Sequence, residues 1–229
     1  MTKFYRFPHT PHIAWLGSGQ PRDDKVLAPA EVTAFLAGNV IVEEKVDGAN
    51  IGFSLADDGN LQVQNRGSYL TADHCHAQFQ PLFRWLRGKE DAIAEALFPD
   101  LMLFGEWCYA VHSVRYDNLP DWFLAFDVFD RRTGIFWSVE LRNQLVASLS
   151  LQLVPQLGAG VYDLDSVKRM LGKSRLSGVP AEGIYLRNER AGHLAGRAKL
   201  VRAEFVQAID THWSRRSVQS NAIQHTQVA

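Results

Sequence analysis

The stretch Glu43-Glu44-Lys45-Val46-Asp47-Gly48-Ala49-Asn50 lies between two apolar segments and decides how the chain folds around it. The apolar run 40–42 precedes it and 51–55 follows it, so the pattern predicts two strands joined at the Asp-Gly pair. Gly48 allows the backbone to approach a ligand closely. Lys45 stands at the mouth of this turn, where partial desolvation favours the neutral, nucleophilic amine.

The rest of the chain mixes strand and helix patterns without a regular βαβ order. Such a mixture favours an α+β fold with mainly antiparallel sheets flanked by helices. The predicted strands are 40–46, 50–56, 61–65, 101–107, 122–129, 134–138, 182–187 and 196–202. The predicted helices are 29–37, 72–97 with interruptions near Pro81 and Gly88, 138–149, 163–171 and 203–213.

The composition is that of a globular chain with one large domain. Of its 229 residues 46% are hydrophobic, which is enough to bury a sizeable core. The net charge of −1 excludes a strongly basic composition. The charge is nevertheless uneven, because residues 168–216 carry 11 Lys and Arg against 4 Asp and Glu. Such a local excess occurs on faces that meet phosphates and also on ordinary solvated surfaces.

Cysteine content and hydropathy bear on the compartment. Cys75 and Cys108 do not suggest a disulfide framework, and the chain has no apolar signal segment or long apolar run. We therefore expect a soluble protein of a reducing compartment, by default cytoplasmic, without a membrane partner. The tract 73–76, Asp-His-Cys-His, is spaced too tightly for a tetrahedral zinc site, so we expect it to be structural. The glycine-rich segments 17–19 and 158–160 lack the Gly-Lys-Ser/Thr ending of a phosphate-binding Walker loop.

Five further segments place charged or aromatic residues at the ends of apolar strands or within them. Their residue types suit nucleotide chemistry, because carboxylates accept hydrogen bonds from hydroxyls and guanidinium groups hold phosphate oxygens. A carboxylate inside an apolar strand, as at Asp127, requires a partner. The segments are Asn65-Arg66-Gly67, Gly105-Glu106-Trp107, Phe126-Asp127, Glu182-Gly183-Ile184-Tyr185-Leu186-Arg187 and Arg197-Ala198-Lys199-Leu200-Val201-Arg202.

In order and spacing, these segments and the lysine turn resemble motifs I, III, IIIa, IV and V of the covalent nucleotidyltransferase superfamily. That superfamily comprises DNA ligases, RNA ligases and mRNA capping enzymes, and the resemblance covers roughly residues 40–205. Lys45, Gly48 and Asn50 match the Lys-x-x-Gly-x-Asn pattern of the RNA ligase 2-like branch. Segments 7–12 and 105–127 also resemble small bacterial and phage RNA ligase-like proteins.

The resemblance implies an ATP-grasp-like nucleotidyltransferase domain of the ligase type, with ATP and Mg²⁺ (or Mn²⁺) as cofactors. It implies that the amine of Lys45 attacks the α-phosphorus of ATP, expels pyrophosphate and forms a lysyl-AMP phosphoramidate. AMP would then pass to the 5′-phosphate end of an RNA, and a 3′-hydroxyl would displace it to seal the break. The amine must be uncharged, so we expect cationic neighbours, a metal and partial burial to lower its pKa.

The same resemblance implies roles for the other motif residues. Glu106 would receive the ribose hydroxyls, and Phe126 would stack on adenine, although from its neighbours alone Phe126 fits the apolar core better. Glu182 would hold the metal, directly or through water. Asn50 and Arg66 would contact ribose and phosphate. The expected ATP-binding residues are Glu44, Lys45, Asn50, Arg66, Glu106, Phe126, Glu182, Arg197 and Lys199.

Two residues depart from the RNA ligase 2 pattern. Asp47 is typical of DNA ligases, whereas RNA ligase 2 relatives have His there. Arg197 replaces the first Lys of the usual Lys-x-Lys, which keeps the charge but not the compact ammonium. A DNA ligase therefore stays open as an alternative, as does a catalytically silent nucleotide- or nucleic-acid-binding module. A capping guanylyltransferase is disfavoured by Asn50.

We expect one nucleotidyltransferase domain over residues 1–216, followed by a polar, frayed tail over 217–229. The residues after Val201 are too few for an oligonucleotide-binding domain or a C-terminal helical domain. The expected partners are RNA, or DNA, with 5′-phosphate and 3′-hydroxyl ends, in RNA repair. The helix near 203–213, with Trp213, Arg215 and Arg216 beyond it, is expected to supply some of the substrate contacts, and an end-healing partner protein would supply the rest.

Overall fold

The computed structural model describes residues 4–19, 25–207 and 218–224, which form two β-sheets lining one cleft. The strands are β1 Val40–Lys45, β2 Ala49–Leu55, β3 Leu61–Asn65, β4 Tyr69–Leu70, β5 Leu101–Trp107, β6 Phe123–Asp130, β7 Ile135–Phe136, β8 Gln152–Leu153, β9 Gln156–Gly160, β10 Gly183–Arg190 and β11 His193–Val201. The helices are α1 Pro29–Leu36, α2 Gln80–Leu86, α3 Glu90–Leu97, α4 Val139–Ser148, α5 Leu164–Arg169 and α6 Ala203–Gln207, with a 3₁₀ turn at Ala77–Phe79.

The first sheet has the order β11-β10-β1-β9, and each pair is antiparallel. Alternate side chains of its three long strands form a core with α1 and α5 that includes Val42, Leu186 and Leu200. Side chains of a strand alternate between its two faces. The intervening residues, among them Lys45 and Lys199, therefore face the cleft.

The second sheet has the order β4-β3-β2-β5-β6-β7, with β8 added in parallel to β6. One of its faces packs on α2, α3 and α4 around Phe53, Leu82, Leu97 and Val146. Every other pair in this sheet is antiparallel. The prediction of an α+β fold with mainly antiparallel sheets is therefore confirmed.

The structure adds strands that the sequence pattern does not predict. β9 contains Gly158-Ala159-Gly160 and has little intrinsic strand preference, yet it pairs with β1 along the edge of the first sheet. The short strands β4 and β8 were also not predicted. The expected helix 203–213 is described only as α6, and its remainder lies outside the described residues, as do Trp213, Arg215 and Arg216.

The predicted frayed tail differs from what the structure shows over residues 218–224. This segment makes backbone hydrogen bonds to the connection between β5 and β6, for example from Val111 N to Gln219 O at 2.8 Å. Asn221 within it is buried. A sequence pattern misses this contact because the two segments are about one hundred residues apart.

None of the helices formed by the described residues has the length and apolar character that a membrane span requires.

Candidate active site

The cleft between the two sheets encloses about 830 Å³ of space, part of it open to solvent. Seven of the nine predicted ATP-binding residues line it: Glu44, Lys45, Asn50, Arg66, Glu106, Phe126 and Lys199. Residues that were not assigned to ATP binding also line it: Phe7, Pro8, Thr10, Glu43, Val46, Val154 and Tyr185. The sequence motifs thus converge on one site although they span most of the chain.

Lys45 ends β1 at the cleft wall, directly opposite Gly183 of β10. Its Nζ lies 2.5 Å from Glu182 Oε2, and the two side chains are 27% and 14% exposed. Burial acts to lower the pKa of Lys45, but Glu182, Glu106 and Asp47 outweigh it, so the pKa is raised. The expected lowering is therefore not seen in the protein alone, because the nearest charges are carboxylates rather than cations.

Gly48 brings the lysine turn against β5. A Cβ at this position would lie 2.7 Å from Trp107 O and 2.9 Å from Glu106 Cγ, so the close approach requires glycine. Burial raises the pKa of Glu106 to about 8, with Lys45 acting in the opposite direction. Asn50 pairs with Glu106 across β2 and β5, and its Oδ1 is buried without a hydrogen bond from any described residue.

Asp47 is bound to the protein rather than directed at a ligand. Its Oδ2 accepts hydrogen bonds from Ser113 N at 2.6 Å and from Val114 N at 2.8 Å. Its own N–H donates to the Tyr116 hydroxyl at 2.8 Å. The residue that sets this chain apart from RNA ligase 2 relatives therefore anchors the β5–β6 connection.

Phe126 faces the cleft because β6 carries a bulge. Phe104 pairs with Asp127 and Gly105 pairs with Ala125, so Phe126 is the extra residue between them. A bulge redirects the side chain and removes the ladder partner of its carbonyl. That carbonyl instead accepts hydrogen bonds from Arg142 Nη1 at 2.7 Å and Arg187 Nη1 at 3.1 Å. Phe126 thus lines the cleft, and it also packs, partly buried, against two of the apolar clusters.

A cluster of buried charges lies beside this carbonyl. Arg187 pairs with Asp127 at 2.5 Å, and Arg142 pairs with Glu43 at 2.7 Å. Burial acts to lower the pKa of Arg187, but the carboxylates of Asp127 and Glu43 outweigh this effect. The pKa is therefore raised and the guanidinium stays charged. Asp127 thus has the partner that its apolar strand predicted, and the cluster joins the two sheets.

Arg197 does not line the cleft, contrary to its expected place among the ATP-binding residues. Its guanidinium lies 3.9 Å from the Phe136 ring centroid, 4.9 Å from that of Phe7 and 3.4 Å from Asp127. A planar guanidinium stacks on aromatic rings in a way that a lysine ammonium cannot. The arginine of this motif is therefore held by two rings and a carboxylate, and Lys199 is the motif's cleft-lining cation.

Segment 4–19 closes one side of the cleft. It runs beside β11, with hydrogen bonds from Lys199 N to Pro11 O at 2.9 Å and from Ile13 N to Lys199 O at 2.8 Å. Arg66 Nη2 reaches His9 Nδ1 at 3.1 Å. The segment that resembles the opening of small RNA ligases thus contributes to the same site.

Glu44 also lines the cleft, but its carboxylate is bound elsewhere. It accepts hydrogen bonds from Ser174 Oγ at 2.5 Å and from Arg175 N at 2.8 Å. Burial raises the pKa of Glu44, and these two donors act against the rise. The side chain positions the segment beside the cleft, so a direct contact between the carboxylate and a ligand is not supported.

Tyr185 is one of the cleft residues that sequence reasoning missed. It lies in β10 between Glu43 and Lys199, and its hydroxyl is buried without a partner among the described residues. Burial raises the pKa of Tyr185 to about 12, so the hydroxyl keeps its proton. A tyrosine in an apolar strand gives no sequence signal that distinguishes a ligand contact from strand preference.

Within the described part of 168–216, which ends at residue 207, the positive charges do not all lie on one face. Arg187 is buried in the charge cluster, and Arg202 donates to the carbonyls of Ala181, Leu171 and Gly172. Arg197 is held against aromatic rings, as described above. Part of the excess is therefore internal, and the count overstates the charge available to phosphates.

The carboxylates near Lys45 fit a hard divalent cation. Glu182, Glu106 and Asp47 all act to raise the pKa of Lys45, so the site brings three carboxyl groups together around this amine. Among the described residues no group of three or more His, Cys, Asp or Glu side chains forms a ready metal cage. A cation here would depend on one or two carboxylates together with phosphate oxygens and water, as Mg²⁺ commonly does.

Comparison with known proteins assigns the family. The RNA ligase family model matches residues 38–201, which is more than half of the chain. The chain belongs to the RNA ligase family. The resemblance to RNA ligases predicted from the motifs is therefore confirmed. No curated protein matches the sequence significantly.

Solved RNA ligase structures share the fold. A variant of the Naegleria gruberi RNA ligase with ATP and Mn has a TM-score of 0.63 at 18% identity, over 90% of this chain and 64% of that one. The same ligase with PPi gives 0.56 at 22% identity, over 74% and 51%. An archaeal ATP-dependent RNA ligase gives 0.60 at 20% identity, over 87% and 49%. This RNA ligase family chain thus spans about half to two thirds of these structures.

Proposed function

We propose that this protein is an ATP-dependent RNA ligase that joins 5′-phosphate and 3′-hydroxyl ends through a lysyl-AMP intermediate on Lys45, in RNA repair. The observation that carries the proposal is the position of Lys45 Nζ, 2.5 Å from Glu182 at the wall of a cleft that Asn50, Glu106 and Phe126 also line. The solved relatives with ATP, Mn or PPi support the nucleotide and the metal.

The first step forms a bond between Lys45 Nζ and the α-phosphorus of ATP and breaks the bond from that phosphorus to the bridging oxygen of pyrophosphate. The Lys45 ammonium first gives one proton to solvent, and the attacking nitrogen gives up a second proton to solvent as the N–P bond forms and pyrophosphate leaves with the electron pair of the broken P–O bond. Glu182 would hold the divalent cation, directly or through water, and the cation would neutralise charge on the phosphates when bound. Glu106 would receive the ribose hydroxyls. Once Glu182 and Glu106 bind these ligands, their carboxylates would raise the pKa of Lys45 less than they do in the protein alone.

The rest of the cleft binds and orients the nucleotide. Phe126 offers a ring face for the base, and Asn50 Oδ1 offers a buried acceptor that no described residue uses. Lys199 and Arg66 supply positive charge for phosphate oxygens. AMP then moves from Lys45 to the terminal 5′-phosphate, and attack by a 3′-hydroxyl forms the phosphodiester and releases AMP. These steps depend mainly on positioning and charge stabilisation.

A covalent-labelling experiment tests the proposal. Protein first freed of bound AMP is incubated with α-labelled ATP or GTP and Mg²⁺, denatured and counted. We expect acid-labile label from ATP on the wild type and none on Lys45→Ala. Lys25→Ala removes an exposed lysine and serves as the matched control, which we expect to label normally. Folded wild-type protein that takes no label would contradict the proposal and favour a silent nucleotide-binding module.

DNA ligation is the alternative that sequence reasoning left open, and it depended on Asp47. Because that carboxylate accepts hydrogen bonds from Ser113 and Val114, its identity reflects a protein contact and gives no support to a DNA substrate. Nicked duplexes with either RNA or DNA on the 3′-hydroxyl side discriminate the two. We expect faster sealing with RNA, and a preference for DNA would replace the proposal.

A further inference from the structure

The connection between β5 and β6, residues 108–122, is long for a link between neighbouring antiparallel strands. It follows Glu106 directly and contacts the turn after Lys45. Val114, Tyr116 and Leu119 of this connection pack with Val46 in a small apolar cluster. The geometry of the lysine turn therefore depends on what holds this connection in place.

The hydrogen bonds of Asp47 are one anchor. Ser113 N and Val114 N donate to its carboxylate, and Tyr116, which is fully buried, accepts from its backbone N–H. Asp47 is two residues from Lys45. A shift of the connection would therefore move the turn that carries the nucleophile.

Residues 218–224, here called the C-terminal strap, are the second anchor. The strap pairs with the connection through two isolated bridges, Ala110 with Ser220 and Leu119 with Ile223. Backbone hydrogen bonds reinforce them, among them Ala222 N to Tyr116 O at 2.9 Å and Gln224 N to Leu119 O at 2.7 Å. The strap thus contacts the connection on both sides of the part that Asp47 holds.

Asn221 makes the most specific contacts of the strap. Its Oδ1 accepts from Tyr116 N at 2.8 Å, and its Nδ2 donates to Cys108 O at 2.8 Å and Ala110 O at 3.2 Å. The side chain is 5% exposed. One acceptor and two donors are the amide's main hydrogen-bonding groups, and each has a partner here. No other residue type reproduces this set at the same size.

We propose that the C-terminal strap, through Asn221, is a positioning element for Lys45. The path runs from Asn221 to Tyr116 N, from the Tyr116 hydroxyl to Asp47 N, and along the chain to Lys45. Asn221 is a positioning residue, because it acts through the connection and contacts no cleft-lining side chain in this path. The inference rests on the proposed adenylylation of Lys45.

The effect should fall on the chemical step rather than on ATP binding. The groups expected to bind ATP include Arg66, Phe126 and Lys199, which come from the turn after β3, from β6 and from β11 rather than from the connection. A misplacement of about 1 Å at a reacting group can cost about 100-fold in rate. Loss of the strap contact should therefore slow formation of lysyl-AMP while the Kd for ATP stays unchanged.

The test uses the Asn221→Asp variant of the whole chain. Aspartate keeps the size of the side chain and the oxygen that accepts from Tyr116 N, but it replaces the Nδ2 amide group by an oxygen that faces the carbonyls of Cys108 and Ala110. Gln219→Ala is the matched control, because Gln219 is exposed and takes part through its backbone carbonyl. We expect the single-turnover rate of lysyl-AMP formation to fall at least about 10-fold in Asn221→Asp and not in the control. Rates are compared below the unfolding temperature of every variant.

A second variant, Tyr116→Phe, removes only the hydroxyl that accepts from Asp47 N. We expect a smaller loss of the rate of lysyl-AMP formation than in Asn221→Asp. In the double variant the two losses should be less than additive in free energy, because both residues act on one path. Wild-type rates in both variants would overturn the inference. So would a loss of rate that merely tracks the unfolded fraction, with ATP affinity falling in parallel.

Hydrogen exchange separates this inference from the proposed function. In Asn221→Asp we expect faster exchange at residues 113–116 while β2 and β5 stay protected. If the wild type takes no label, the proposed function is contradicted, but the exchange experiment still tests the strap. Unchanged exchange at residues 113–116 in Asn221→Asp would show that the strap does not hold the connection. Label in the wild type with normal rates in Asn221→Asp would overturn the strap alone.

Discussion

Two clusters of charged side chains lie beside the same cleft and differ in composition and burial. The lysine cluster has one ammonium and three carboxylates: Lys45, Asp47, Glu106 and Glu182. The guanidinium cluster has three guanidinium groups and two carboxylates: Arg142, Arg187, Arg197, Glu43 and Asp127. The register places them in sequence along the first sheet, because Gly183 pairs with Lys45 whereas Arg187 pairs with Ile41.

The two clusters differ in how far they are buried and in how their charges are balanced. Arg142 and Arg187 are at most 1% exposed and bind carbonyls as well as carboxylates. Lys45 remains 27% exposed, and three carboxyl groups act to raise its pKa. Buried ions that lie beside opposite charges hold structure in place, even though Arg187 Nε has no hydrogen-bond partner among the described residues. A partly exposed cluster with more carboxyl groups than ammonium groups is suited to a charged ligand. The presence of charge alone therefore does not distinguish the cluster proposed for catalysis from the guanidinium cluster.

Loss of Arg187 should give the largest effect on stability. Arg187→Met leaves Asp127 buried with only the weaker contact to Arg197, and breaking such a pair costs about 3–5 kcal/mol. Urea unfolding measures the loss. Arg190→Met, on the same strand but exposed, is the control and should stay near the wild type. Equal stabilities of the two variants would show that the guanidinium cluster does not hold the sheets together.

The lysine cluster should instead show itself in the pH dependence of stability. The pKa of Glu106 is about 8 in the folded protein against an ordinary value of 4.5. Between these values the folded state binds more protons than the unfolded chain, so the free energy of unfolding falls as pH rises through this window. We expect Glu106→Gln, measured without divalent cations, to weaken this fall.

Thermal unfolding from pH 5 to 8 provides the measurement. Other groups in the site also titrate, among them Glu182, whose pKa burial raises, and His112, whose pKa burial lowers. The informative quantity is therefore the difference between the wild type and Glu106→Gln at each pH. Parallel curves over the whole range would mean that Glu106 is ionised normally and that the cluster is less crowded with negative charge than the structure indicates.

Much of the fold was predictable because its signals are local. Alternating apolar residues and the turn from Asp57 to Asn60 define β2 and β3. Pro29 marks the start of α1, and Gly88 lies in the break between α2 and α3. β9 was not predictable, since Gly158-Ala159-Gly160 gains its strand conformation only from pairing with β1. Local preference is a weak guide where a distant partner supplies the hydrogen bonds.

The site shows the same division. Lys45, Asn50 and Glu106 were predictable because each lies at a strand end within a recognisable motif. The position of Arg197 was not, since alternation places it on the cleft face but Asp127 and two aromatic rings of other elements hold it away. Asn221 carries no local signal at all. Tyr185 is ambiguous in sequence because its role depends on a hydroxyl that only the structure shows to be unpartnered.

Tyr185→Phe gives the smallest expected effect. Because Tyr185 lies in β10 between the two clusters, this variant tests whether the residue contributes to ATP binding or to stability. Its hydroxyl is buried with no partner among the described residues, and an unpaired buried polar group is unfavourable. Removal should therefore leave the free energy of unfolding unchanged or slightly higher.

If the hydroxyl donates to ATP, the loss of one hydrogen bond should weaken ATP binding by roughly 2- to 10-fold. Calorimetric titration with ATP and urea unfolding of the same variant test the two parts, and both should hold at once. A less stable variant with normal ATP affinity would assign Tyr185 to the structural side of the cleft.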